Sequence, residues 1–315
     1  MNARRLLISV LALLFLAAPS SSGATKKRPA PARPTHKKKP DPSVRRAPGA
    51  SSAAVAAATT AASGDDGELS LAARGAIVVE SFGGRALFEK NADSRFYPAS
   101  TTKIMTGLLI IEAGGLETPV EVTEEDARVG ESSLSIRPGQ TYTRRQMLYG
   151  LMLKSANDVA HALGRDNGGT AEAFAAKMTQ RARELGCTNT SFMNAHGLHH
   201  PSHYTSPRDL ALITRAAMNQ PLFRQIVSTQ QAPWEAPGGT FMLSNHNRLL
   251  QRFPGCNGVK TGYTIPAQQV LASSAARSGR EAIAVVMHTD KPGIWEDSAK
   301  LLEFALKHAA PGPPQ

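Results

Sequence analysis

A serine and a lysine three residues apart, Ser100 and Lys103, stand at the head of an apolar run that includes Leu108, Leu109, Ile110 and Ile111. Pro98 precedes them and Gly114-Gly115 follow, so the spacing predicts a helix that opens near Ser100 and stops at the glycines. Residues i and i+3 share a helix face, with Cβ atoms about 5–6 Å apart. A neutral lysine at that distance can take the hydroxyl proton, which makes the pair a nucleophile beside its base. The plain alternative is an N-cap serine followed by a solvated lysine. Taken alone the pair does not separate the two.

Two further stretches carry residues of matching chemistry. Ser155 and Asn157 fall in Lys154-Ser155-Ala156-Asn157-Asp158, where small polar residues favour a turn and the cap of the next helix. Lys260-Thr261-Gly262-Tyr263 falls on a predicted strand, and Gly262 lets a ligand approach the backbone closely. A Ser-x-x-Lys, then a Ser-x-Asn, then a Lys-Thr-Gly form the set of penicillin-binding proteins and class A β-lactamases.

The elements that must hold these residues are read from period and punctuation. Residues 74–80 and 85–89 flank Phe82-Gly83-Gly84 and predict a β-hairpin. Residues 120–142 predict short strands and irregular structure. Helices are expected after Thr143, over Ala171–Leu185, and over Pro207–Met218 with Ser206 as cap. Val259–Thr264, Val270–Ala275 and Ala282–His288 predict strands, and Ile294–Lys307 a closing helix. Strands at both ends with helices between them predict a mixed sheet built from distant parts of the chain.

The chain has 315 residues, 41% of them hydrophobic, enough for one large domain or two small ones. Arg4 and Arg5 precede an apolar run from Leu6 to Ala18, with small residues to Ala24: the pattern of an export signal over 1–24. The run is shorter than the ~20 residues that span a bilayer, so export is the better reading and an uncleaved N-terminal anchor the alternative. Residues 25–67 are rich in Lys, Arg, Pro, Ala and Ser, and predict a disordered linker. Residues 1–66 hold eleven Lys or Arg and three Asp, so +8 of the formal +11 lies there. The basic balance therefore describes the tail, and no nucleic-acid partner is expected. The tail could hold anionic envelope polymers, or serve as a solvated spacer. The remaining expectation is one folded domain over 68–308 and a short tail over 309–315. Cys187 and Cys256 allow one disulfide, and no metal-ligand spacing surrounds either.

The three motifs, together with Tyr97–Thr106, Lys154–Asp158, Phe192–Leu198, His203–Ser206 with Asp209-Leu210, and Asn245–Leu250, resemble the low-molecular-weight penicillin-binding proteins that are serine D-alanyl-D-alanine carboxypeptidases. The resemblance runs from about residue 74 to 306. It implies an α/β, β-lactamase/transpeptidase-like fold: an antiparallel sheet packed with helices, plus a mostly helical subdomain. It implies Ser100 as nucleophile, Lys103 as its neutral base, Ser155 as proton relay and Asn157 as holder of Lys103 and the substrate amide. The backbone N–H groups of Ser100 and Tyr263 would form the oxyanion hole, with Gly262 beside them, and Lys260 and Thr261 would meet the substrate carboxylate. No cofactor is implied. The implied partners are peptidoglycan stem peptides, with β-lactams as inhibitors, in the periplasm or cell envelope. His196 and His203 are expected to be structural.

Three departures stand out. Family members usually carry an Arg where this chain has Ile294, so Ile294→Arg is expected to strengthen carboxylate binding if that position faces the site. Asn257 replaces a usual Asp, and Ala267-Gln268 a frequent Ala-Gly. The readings left beside carboxypeptidase are a D,D-endopeptidase, a β-lactamase and a silent wall-binding module. Residues 185–234 lack the Glu that a class A β-lactamase uses, and the silent module would be expected to have lost Ser100, Lys103 or Lys260.

Overall fold

Alternating small and branched residues at the two ends of the described chain build one sheet, and the helices between them cover its faces. The computed structural model describes residues 69–312. The export signal, the whole basic linker and residues 313–315 lie outside them. In chain order the elements begin with β1 (Gly75–Glu80), β2 (Ala86–Lys90) and α1 (Lys103–Ala113). Next come β3 (Pro119–Glu121), α2 (Glu124–Ala127), β4 (Thr141–Thr143), α3 (Arg144–Tyr149), α4 (Asn157–Gly168), α5 (Ala171–Glu184), α6 (Pro207–Met218) and α7 (Pro221–Ser228). The chain closes with β5 (Gln231–Ala236), β6 (Gly239–Ser244), α8 (Leu249–Arg252), β7 (Cys256–Thr264), β8 (Gln268–Arg277), β9 (Arg280–Thr289) and α9 (Gly293–His308).

The main sheet has the order β2-β1-β9-β8-β7. Every one of its ladders is antiparallel, which corrects the mixed sheet expected from the strand pattern. The N-terminal hairpin adds onto β9, the last strand of the chain, and so brings residues about 200 apart into register, Ala76 opposite Val286. Side chains alternate across the sheet. Ile77, Val79, Ile283 and Val285 join the cluster that includes Ile104 and Leu108 of α1. Ala76, Val78, Ala284 and Val286 pack instead with Leu301, Leu302 and Ala305 of α9. Both faces of β1 and β9 are therefore buried, as their near-continuous apolar runs require.

Helix α1 is buried from Lys103 through Ile110, so it runs through the interior and has no solvent face over that stretch. The helix expected after Thr143 forms as α3, with the Thr143 hydroxyl accepting from Gln146 N–H. It then widens into a π-turn over Gly150–Lys154 and ends at Ser155 in a left-handed conformation, φ 64°. Helix α7 and the β5–β6 ribbon were not read from the sequence. Pro233 takes an exposed position in the alternating strand β5, which a two-stranded ribbon tolerates because both of its strands are edges.

Helix α4, which begins with Asn157, is tied to α2 by a buried carboxylate. Asp126 accepts from Thr123 N–H (2.9 Å), His161 Nδ1 (2.7 Å) and Arg165 Nη2 (2.8 Å). Burial opposes its charge, but the bonds from His161 and Arg165 win and hold its carboxyl well below the usual range. Asp126→Asn is expected to cost about 3–5 kcal/mol of stability, because it leaves these donors imperfectly paired. Urea unfolding of the variant reads this loss directly.

The disulfide that the two cysteines allow is not formed. Both cysteines are free: Cys187 Sγ donates to Asp209 O and Cys256 Sγ to Gly258 O. Each thiol thus has a backbone acceptor on its own side of the fold.

Candidate active site

The nucleophile candidate sits on a short 3₁₀ turn, Ala99–Thr102, that feeds directly into α1. This refines the expected helix start, because the α-helix proper begins at Lys103. A 3₁₀ turn has three residues per turn, which stacks the side chains of residues 100 and 103. Ala99 lies in the left-handed region at φ 47°, a strained conformation costing roughly 1–3 kcal/mol. Two glycines close on it. A Cβ on Gly197 would fall 1.9 Å from Ala99 O, and one on Gly262 2.8 Å from Ser100 N. Residues 196–198 and strand β7 thereby fix the backbone of Ser100 from two sides.

Lys103 is fully buried. Its Nζ lies 2.6 Å from Asn157 Oδ1, 2.6 Å from His196 O and 3.0 Å from Ser100 Oγ. The Asn157 amide is oriented by its other end, where Nδ2 donates to Gly130 O at 3.0 Å. Asn157 Oδ1 and His196 O are therefore pure acceptors and consume two N–H groups. A neutral amine has no third, so its lone pair points at the Ser100 hydroxyl. Burial pushes Lys103 well below the usual lysine range, and the neighbouring Lys260 pushes the same way; Asp158 and Glu131 oppose them.

Lys260 is buried too, and its Nζ donates to Thr261 O at 2.9 Å. Burial lowers it to about 7. Lys260 and Gly262 share the inward face of β7, whereas Thr261 and Tyr263 face the other way, with Tyr263 exposed. Ser155 is buried at its left-handed turn, two residues before Asn157.

Asp158 organises the loop opposite. It accepts from Ser133 Oγ (2.6 Å), Leu134 N–H and Ile136 N–H, and the same loop gives Ser132 O to Asn157 N–H at 2.7 Å. His203 accepts from Met193 N–H at Nδ1, so Nε2 carries the proton and donates to Thr102 Oγ1 at 2.8 Å. Burial pushes the rings of His196 and His203 down to about 3, which keeps both neutral. The part of His196 that touches the site is its carbonyl. Residue-type reasoning missed this, because a backbone oxygen leaves no mark in the sequence. His246 was also missed: desolvation and then Lys260, Lys154 and Lys103 lower it to about 4, which puts its ring within electrostatic reach of both buried lysines.

The structure thus joins Ser100, Lys103 and Asn157 by direct hydrogen bonds, Gly262 by backbone contact, and Lys260 through its charge. Ser155, Thr261 and Tyr263 lie on the adjoining turn and strand, with no hydrogen bond to Lys103 or Ser100 among the described residues. Ile294 lies elsewhere. It is 1% exposed and packs in the cluster between α9 and the sheet. Position 294 does not face the site, so Ile294→Arg is now expected to bury an unpaired cation and destabilise the fold. Asn257 has a local role, donating from Nδ2 to Glu281 Oε1 at 3.0 Å.

A hydroxyl, a buried amine whose charge is disfavoured and an amide in this arrangement suit acyl transfer. The sequence profile described as D-alanyl-D-alanine carboxypeptidase matches residues 57–291. The chain belongs to that family. It is 37% identical to the D-alanyl-D-alanine carboxypeptidase DacF of Bacillus subtilis over 246 residues, which are 76% of this chain and 63% of that protein. The chain thus spans under two thirds of this relative's length. A Mycobacterium tuberculosis D-alanyl-D-alanine carboxypeptidase, DacB2, is 34% identical over 74% of this chain and 83% of its own. Among solved structures, the Streptomyces K15 DD-transpeptidase superposes with a TM-score of 0.72 at 30% identity, covering 76% of this chain and 98% of that one. The fold is that of these DD-peptidases, an antiparallel sheet packed with helices.

The family site carries a stability signature in Lys260. In the unfolded chain it holds its proton up to about pH 10.5, and in the fold only to about 7. The unfolded state therefore binds more protons between those values, and stability is lost as the pH falls from 10.5 towards 7. Lys260→Met has no such loss. The Tm advantage of this variant over the unsubstituted protein is expected to shrink as the pH rises from 7 to 10, at roughly 2–4 °C per kcal/mol for a fold of this size. Thermal melts at the two pH values check it.

Proposed function

We propose that this chain is a serine D,D-carboxypeptidase, which removes the terminal D-Ala from peptidoglycan stem pentapeptides through an acyl-enzyme on Ser100. The observation that carries this reading is the placement of Lys103 Nζ, 3.0 Å from Ser100 Oγ and 2.6 Å from both Asn157 Oδ1 and His196 O; a neutral amine spends its two N–H groups on those two acceptors and keeps its lone pair for Ser100. Ser100 Oγ attacks the carbonyl between the two D-Ala residues, and its proton passes to Lys103 Nζ. The oxyanion is held by the N–H groups of Ser100 and Tyr263, where one donor is worth about 3 kcal/mol. Lys103 returns the proton through Ser155 to the leaving amine, the C–N bond breaks, and free D-Ala departs. Water then attacks the ester with Lys103 again as base, which regenerates Ser100 and releases the tetrapeptide. Lys260 and Thr261 hold the terminal carboxylate, and no cofactor takes part.

Incubation with purified muropeptides followed by mass spectrometry tests the reading. Loss of one Ala from pentapeptides supports it, whereas conversion of cross-linked dimers to monomers without that loss assigns an endopeptidase. β-Lactams are the expected acylating inhibitors.

The substrate class lies outside the cytoplasm, which agrees with the signal-like pattern of residues 1–24. Among the described residues no helix is long and apolar enough to cross a membrane. The basic linker is the proposed contact with anionic envelope polymers. Deleting residues 25–66 is expected to leave turnover of soluble peptide unchanged and to weaken adsorption to purified envelope at low salt. Equal adsorption with and without the linker would make it a spacer.

A further inference from the structure

A groove of about 410 Å³ opens between Tyr97, three residues before Ser100, and Pro266, three residues after Tyr263. The mechanism above does not use it. Arg74, Arg95, Tyr204 and His288 also line it, and its lining contains no Asp or Glu. The Arg95 guanidinium stacks 4.4 Å from the centroid of the Tyr204 ring, and its Nε donates to Asn189 Oδ1 at 3.4 Å. Arg74 is pinned by its backbone, with N–H donating to His288 O and its carbonyl accepting from Asn91 Nδ2 at 2.7 Å. Its Nη1 donates to His288 Nε2 at 3.3 Å. Burial and the adjacent Arg74 lower His288, so Arg74 and Arg95 are the cations here at neutral pH.

Neither guanidinium has a carboxylate partner among the described residues. Some other surface arginines do, since Arg208 bridges Glu89 and Asp93 and Arg181 pairs with Glu112; what sets Arg74 and Arg95 apart from the unpaired ones is that both line one groove. Two exposed, pre-positioned guanidinium groups without an acid form a ready acceptor for an anion.

The direction of the substrate follows from the order of groups on β7. Lys260 and Thr261 are assigned to the terminal carboxylate, and Ser100 with Tyr263 to the carbonyl one residue upstream. An extended peptide continuing the same way passes Thr264, where β7 ends, and meets the β7–β8 turn that carries Pro266, no more than about 10 Å from Tyr263 at about 3.3 Å per residue. That is the reach of a long side chain on the residue that precedes D-Ala-D-Ala. We propose that the groove reads the acyl donor upstream of the scissile bond, taking a side-chain carboxylate of that residue between Arg74 and Arg95. This rests on the carboxypeptidase reading and names its substrate class: acidic stem peptides in preference to those with an amidated or neutral side chain.

The test compares kcat/KM of the full chain on Nα-acetyl-L-glutamyl-D-alanyl-D-alanine and on its glutaminyl counterpart, with benzylpenicillin acylation measured alongside. The acidic peptide is expected to be favoured about two- to fivefold, the size of one ion pair at a solvent-exposed site. Arg95→Gln or Arg74→Gln should bring the ratio towards one, and Arg95→Glu should invert it. A ratio near one in the unsubstituted protein, or a preference that none of the three variants changes, overturns the inference. If the ratio is near one and inorganic phosphate binds at Arg74 and Arg95, the groove takes phosphate, and the peptide inference is again overturned. Failure of the groove alone leaves benzylpenicillin acylation and turnover of both peptides in place. Absence of acylation and of all turnover in the unsubstituted protein removes the underlying reading instead.

Discussion

Ser100→Ala is expected to abolish labelling by a fluorescent penicillin and turnover of D-Ala-D-Ala peptides, with a loss on the order of 10⁴-fold or more. The β-lactam carbonyl and the peptide carbonyl meet the same oxygen, so both activities fall together. The fold should persist. Ser100 is held through its backbone, by the strained turn at Ala99 and the close approach of Gly262, and among the described residues the hydroxyl itself makes one side-chain hydrogen bond, with Lys103. A melt close to that of the unsubstituted protein, with a mass spectrum lacking the penicilloyl adduct, is the expected pair of results. A folded variant that still acquires the adduct would place the nucleophile elsewhere, and Ser155 would be the first residue to substitute next.

What the sequence made legible about this site was its local chemistry. The i, i+3 relation of Ser100 and Lys103 survives even though the turn is 3₁₀ rather than α, because both geometries put those side chains on one face. Asn157 and Lys260 were readable as residue types, but not their distances from Lys103, which depend on how α4 and β7 pack on α1. The carbonyl of His196 had no signature, since every residue has one. Strand direction failed for a related reason: the apolar runs of β1 and β9 show that both faces are buried, not which way the partner strand runs. The reading of Ile294 failed because counting along a helix gives a position, and the face that position presents is set by the packing of α9 on the sheet. Pairing Cys187 with Cys256 assumed only that both were exported. In the fold each thiol instead meets a backbone carbonyl.

The remaining large effect belongs to Lys103. Lys103→Arg is expected to lower acylation about 10²- to 10⁴-fold, the range of a lost general base. A guanidinium keeps its proton at any working pH and offers no lone pair to Ser100 Oγ. It also brings five donors into a pocket that supplies Asn157 Oδ1, His196 O and the Ser100 hydroxyl. Lys103→Met serves as a second variant that adds no donor and should be equally inactive. The pH profile separates a base from a merely structural lysine. Benzylpenicillin acylation should rise with pH as Lys103 loses its proton, over a limb well below the ordinary lysine range, because burial and Lys260 disfavour the ammonium. Glu131 is exposed and acts on Lys103 in the opposite sense, favouring the charged form. Glu131→Gln removes that negative charge, so Lys103 gives up its proton more easily and the limb moves to lower pH. A limb that stays in place or moves upward in Glu131→Gln, or near-normal acylation by Lys103→Arg, would take the base role away from Lys103.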